Sequence, residues 1–166
     1  MPRRPKPATT PKASALGFDQ ALYKMAALCS TAEHCESEVR EKLRRMGLPE
    51  AEADRIIDRL YDERYIDTSR YCHAYVRDKF RFAHWGRVKI EQGLKLKRLP
   101  EADIRQALAT ELPPDDYRRL LLQTIQQKAD SLPDEPNDYN RRAKLIRFAV
   151  GRGFALSEVL DVIGAD

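Results

Sequence analysis

Apolar residues recur along this chain in one pattern, three times over. Val39 and Leu43 stand one helical turn apart, Leu48 follows, and Ala53 and Ile57 again stand one turn apart. The same five places are then taken by Ile90, Leu94, Leu99, Ile104 and Leu108, and a third time by Leu145, Ala149, Phe154, Val159 and Ile163. Spacing of i, i+4 predicts helix on either side of the central residue. Gly47 and Gly153 mark a turn at that centre, and Pro49 and Pro100 suit the first turn of the helix after it. Each copy is therefore two helices joined by a tight corner.

A further helical stretch precedes each pair. FDQALYKMAALC turns Leu22, Met25 and Ala26 inward, SRYCHAYVRDKF presents Tyr71, Tyr75 and Val76, and DYRRLLLQTIQQKA presents Leu121 and Ile125 after Pro113-Pro114. Polar breaks separate each from its pair: STAE, RFAHWG and the longer DSLPDEPND. No stretch reads as a strand. The predicted fold class is all-α, three tandem three-helix repeats over residues 18–64, 65–112 and 113–166, forming an elongated, curved array. One such unit has a small core and is marginal alone; stacked units bury each other's flanks. The extended surface so built suits an elongated partner.

Composition narrows the class. Charged residues make up 34% of the 166 and hydrophobic ones 42%, which fits a soluble helical protein with a thin core. No apolar run approaches a membrane span. Residues 1–17, with four prolines in the first eleven positions and a basic bias, read as a disordered tail and not as a secretory signal. Cys29, Cys35 and Cys72 form no metal-ligand spacing, even with His34, His73 and His84, and read as reduced thiols of a cytoplasmic protein. There is no Gly-rich phosphate loop, no GxSxG and no HExxH, so the expectation is a protein that is not an enzyme and takes no cofactor or metal.

Charge is distributed unevenly. Residues 13–63 carry seven basic and eleven acidic side chains, while residues 64–98 carry ten basic and three acidic. In the repeat register Glu36, Arg87 and Arg142 are equivalent, as are Glu38, Lys89 and Lys144, and all lie off the core positions of the middle helix. Stacking would align Arg87, Lys89, Arg142 and Lys144 into a basic stripe able to follow phosphates. Arg70, Arg77, Lys95 and Arg147, from the same basic segments, join them as candidates. The alternative is an ordinary solvated helix face. Phe82 and Trp85 flank the stripe: packing against the basic helix is one reading, and stacking on single-stranded bases the other. Tyr61, Tyr65, Tyr71 and Tyr75 read as core between repeats.

Three stretches resemble the RecX regulators of the bacterial RecA recombinase. They are EHCESEVREKLRRMGLPEAEADRIIDRLYDERYID, YIDTSRYCHAYVRDKF and WGRVKIEQGLKLKRLPEADI. Cys35 stands where the family commonly has serine, and the arginines that often precede the histidine are replaced by Ser30, Thr31 and Ala32. The resemblance implies a monomer of tandem three-helix repeats with no membrane attachment. It also implies binding to the RecA filament on single-stranded DNA, restraint of filament extension, ATP hydrolysis and strand exchange, and so regulation of DNA repair. A helix-turn-helix transcription regulator is the alternative, although neither a recognition helix nor a dimerisation element is evident.

Overall fold

The computed structural model describes residues 16–134 and 136–164, and the expected basic tail lies largely outside them. Among the described residues there are nine helices and no strand: α1 Phe18–Thr31, α2 Glu36–Arg45, α3 Glu50–Asp62, α4 Thr68–Arg81, α5 Arg87–Leu96, α6 Glu101–Glu111, α7 Pro114–Ser131, α8 Asp138–Gly151 and α9 Leu156–Ile163. None of them is long and apolar enough to cross a membrane. They group in threes. The principal packing partners are α1 and α2 on α3, then α4, α5 and α6 on one another, then α8 between α7 and α9.

The sequence repeat is also a backbone repeat. At the three corners Gly47, Arg98 and Gly153 adopt φ of 80°, 60° and 98°. In each, the next residue's amide donates five residues back: Leu48 to Leu43 (3.2 Å), Leu99 to Leu94 (3.4 Å) and Phe154 to Ala149 (3.2 Å). The corner residue itself donates three back, to Arg44, Lys95 and Val150 at 3.0, 2.9 and 2.9 Å. This pairing ends a helix by satisfying its last carbonyls and needs a left-handed residue at the corner. Two copies supply glycine there. The middle copy forces an arginine into the same shape.

Core formation divides the units unequally. Ala21, Met25, Val39, Leu43, Leu48, Ala53, Ile56, Ile57, Leu60 and Ile66 form one buried cluster confined to α1–α3 and the residues just after them. A second cluster runs through α4–α9, including Val76, Ile90, Leu94, Ile104, Tyr117, Leu121, Phe154 and Val159, and takes in Cys35 from the first unit. Units 2 and 3 thus share one core, while unit 1 has its own.

The joint between units 2 and 3 is a backbone contact. Gly86 N–H donates to the Arg152 carbonyl (2.8 Å) and Val88 N–H to the Gly153 carbonyl (2.9 Å). Arg87 N–H donates to the Tyr117 hydroxyl (2.9 Å). The first amides of α5, which no helix can satisfy internally, are therefore capped by unit 3. A Cβ on Gly86 would fall on the backbone of Gly153 and Phe154, and one on Gly153 would fall on Lys89.

Two substitutions test this joint and the corners. Gly86→Ala should lower stability by about 2–4 kcal/mol, from overpacking plus two lost hydrogen bonds. Gly151→Ala, where an added methyl meets nothing, should be neutral or slightly stabilising. Equal urea midpoints for the two variants would show that the joint does not close this tightly. Arg98→Gly should raise stability by about 0.5–1 kcal/mol by relieving the left-handed arginine. A lowered midpoint would mean that the Arg98 side chain contributes more than its backbone costs.

Candidate functional site

The joint between units 1 and 2 is built from side chains. Glu38, on α2, occupies the register position of Lys89 and Lys144, yet it turns into the joint and is only 25% exposed. Its carboxylate accepts from the Tyr71 hydroxyl (2.6 Å) and the Lys97 ammonium (2.8 Å), with His34 Nδ1 at 2.9 Å. Burial acts to raise this carboxyl, but the hydrogen bonds from Lys97, Tyr71 and His34 outweigh it and hold it at about 2. The partner ammonium of Lys97 is raised in turn by its bond to Glu38. Beside the joint lies a cleft of about 240 Å³ that takes in Glu36, Arg40, Tyr61 and Arg98.

The structure places the sequence candidates in different settings. Arg70 is a clamp: its side chain bonds Glu33 (2.5 Å) and the carbonyls of Arg64 and Tyr65, tying α4 to the first unit. Arg77 pairs with Glu111 (3.1 Å), whose carboxyl that bond holds below the ordinary range, and Lys95 pairs with Glu91 (3.0 Å). Arg87 lies over the Tyr117 ring at 4.9 Å and 3.9 Å from Glu158. Burial raises the Tyr117 hydroxyl to about 12. Lys89 is half-buried, with its ammonium 4.4 Å from the Trp85 ring centre.

Arg142, Lys144 and Arg147 run along α8, with Lys144 and Arg147 exposed and Arg142 reaching the Gly164 carbonyl. Lys89 packs at the Gly153 corner, whereas Arg142 and Lys144 lie roughly 13–17 Å further back along the helix axis. Lys89 thus stands at the C-terminal end of α8, and Arg142 and Lys144 toward its start. The solvent-side reading of Glu38 and Lys89 gives way. The first residues of α2 and α5 are where the next unit docks.

Sequence reasoning placed Glu38 in the repeat register but on the solvent side, and it missed the joint residues Tyr117 and Glu158 and the cations Lys79, Lys97 and Lys128. Tyr71 was picked out, as inter-repeat core, and its hydroxyl does cross the joint. Trp85 resolves in favour of packing, as a partly buried ring against the shared core, whereas Phe82 stands 79% exposed. Among the described residues no cluster of His, Cys, Asp or Glu could hold a metal ion.

The Glu38 joint makes a pH prediction. Because the folded carboxyl sits below its ordinary value of 4.5, the stability it adds is complete above about pH 5 and drains away as pH falls toward 2. Glu38→Gln should cost about 1–3 kcal/mol at pH 7. It should also flatten the loss of stability between about pH 5 and 3, followed by urea unfolding across that range. A variant with the parent's pH slope would show that Glu38 is not the group responsible.

Comparison with known proteins places this architecture. The family model for the first three-helix domain of RecX matches residues 21–60, and that for the second matches residues 69–108. The regulatory protein RecX of Ectopseudomonas mendocina (strain ymp) is 35% identical over 138 residues, covering 82% of this chain and 85% of that protein. The regulatory protein RecX of Vibrio campbellii is 31% identical over 132 residues, covering 80% and 82%. A crystal structure of regulatory protein RecX superposes with a TM-score of 0.78 at 26% identity, over 88% of this chain and 70% of that one. RecX from Lactobacillus salivarius, at 19% identity and a TM-score of 0.77, shares the fold over 88% of this chain and 94% of its own. With both three-helix domains matched in order and relatives aligned over most of their length, this chain belongs to the RecX family of regulatory proteins.

Proposed function

We propose that this protein binds the RecA recombinase, chiefly as its filament on single-stranded DNA, and restrains filament extension, ATP hydrolysis and strand exchange. Family membership is the observation that carries the reading, and the architecture supports it. Three three-helix units, over residues 18–64, 65–112 and 113–166, give one small chain reach along a helical polymer. The joints between them fix the spacing of the contacts. The protein acts as a cytoplasmic monomer, by occupying a surface and not by chemistry of its own. Its basic side chains on the second and third units face the phosphates or acidic groups of the filament.

The direct test is RecA ATP hydrolysis on single-stranded DNA with and without this protein. Slowed hydrolysis is expected, and an unchanged rate at saturating protein would remove the proposal. Arg142, Lys144 and Arg147 together to Glu should weaken inhibition by about tenfold, or about 1.4 kcal/mol. The control changes Arg44, Arg45 and Arg59, which pair with carboxylates on exposed faces of the first unit. It should inhibit like the parent. Equal loss in both variants would assign the effect to bulk charge.

A further inference from the structure

Many cations on this protein pair with carboxylates and some rest on aromatic rings, with Arg87 doing both. Arg40, Arg44, Arg59, Arg70, Arg77 and Lys95 each face a carboxylate within 4.0 Å. Lys79, Lys89, Lys128 and Arg152 lie over aromatic rings instead, and none of the four forms an ion pair with a carboxylate among the described residues. Lys79 and Lys89 sit 4.6 and 4.4 Å from the Trp85 ring centre, on α4 and α5. Lys128 and Arg152 sit 5.1 and 5.3 Å from that of Phe148, on α7 and at the end of α8.

The loop from Phe82 to Gly86 ties these two groups together. It is pinned at both ends: Phe82 N–H donates to the Asp78 carbonyl (2.9 Å), Trp85 N–H to that of Lys79 (3.0 Å) and Gly86 N–H to that of Arg152 (2.8 Å). His84 sits inside it at φ 58°. A loop held this firmly still leaves the Phe82 ring exposed. Phe82 and His84 line one side of a cleft of about 240 Å³, and Gln127, Phe148 and Arg152 line the other; no carboxylate lines it.

Flat apolar faces interleaved with uncommitted positive charge match one class of ligand. A single-stranded nucleic acid offers stackable bases at every residue and a phosphate between each pair. A duplex hides the base faces, and an acidic peptide offers a stackable face only where it carries an aromatic residue, not at every step. Cations already resting on rings keep their charge available to an anion while their position is set. Much of each ordering cost is thereby met before binding.

We propose that the junction of units 2 and 3 is a single-stranded nucleic-acid site. A base stacks on Phe82 over the cleft, Arg152 and Lys128 hold phosphate on one side, and Lys79 and Lys89 hold it on the other. This rests on the filament reading above for the source of the strand, and it shares only Lys89 with the basic candidates legible in the sequence.

Trp85 is the chain's single tryptophan, so its fluorescence reports this site alone. Titration of the full chain with a short oligodeoxythymidylate should quench it saturably. Phe82→Ala should weaken binding about tenfold. Lys128→Ala and Arg152→Ala should each lower the slope of log affinity against log salt by roughly 0.7. Circular dichroism should show all three variants folded, since Phe82 and Arg152 are exposed and Lys128 is half-buried. Heparin, which has charge but no bases, should bind parent and Phe82→Ala alike.

Unchanged oligonucleotide affinity in Phe82→Ala would overturn the site, as would binding of heparin that weakens with Phe82→Ala to the same degree. The RecA assay separates the two proposals. A parent that slows RecA but ignores the oligonucleotide sinks this site and leaves the filament reading. A parent that takes up the oligonucleotide but leaves RecA unaffected supports the site and sinks that reading.

Discussion

The first amides of α5 are the constraint on which the second half of the molecule depends. A helix cannot satisfy its own leading N–H groups, and leaving them unpaired inside a protein costs more than any single hydrogen bond returns. Here the partners for Gly86, Arg87 and Val88 come from another unit, through the carbonyls of Arg152 and Gly153 and the hydroxyl of Tyr117. That solution requires two backbones to meet without side chains between them. Gly86 and Gly153 supply the space, and the apolar cluster around Phe154 then closes over the contact.

Register shows why the joint between units 1 and 2 is different. Cys35 occupies the place of Gly86, and Arg98 that of Gly153, so the backbones cannot approach in the same way. Contact passes instead through longer groups, with Glu38 receiving Tyr71 and Lys97 where the later joint has Lys89 over Trp85. In both joints a tyrosine from the first helix of the following unit reaches back to the start of the preceding middle helix. The chemistry changed while the docking geometry was kept.

Much of the fold was legible because it is local. Val39, Leu43 and their equivalents announce helices by spacing, and Gly47 and Gly153 announce corners by residue type. The corner at Arg98 was legible only through the register, since arginine carries no left-handed signal of its own. The joints were not legible. Glu38, Tyr117 and Glu158 meet partners 30 or more residues away, and no period in the chain records that. The same limit applied to the basic residues: Arg70, Arg77 and Lys95 look alike in sequence to Lys79 or Lys128, and only the fold shows which have carboxylates beside them.

The unequal division of the core has a consequence for synthesis. A chain emerging from the ribosome folds in the order its parts become available. The cluster of α1–α3 is complete once Ile66 has appeared, so the first unit can close while the rest is still being made. The middle unit has no such independence. Its helix α5 stays open at the leading end, and its apolar face stays unfinished, until Phe154 and Val159 of the third unit have been added.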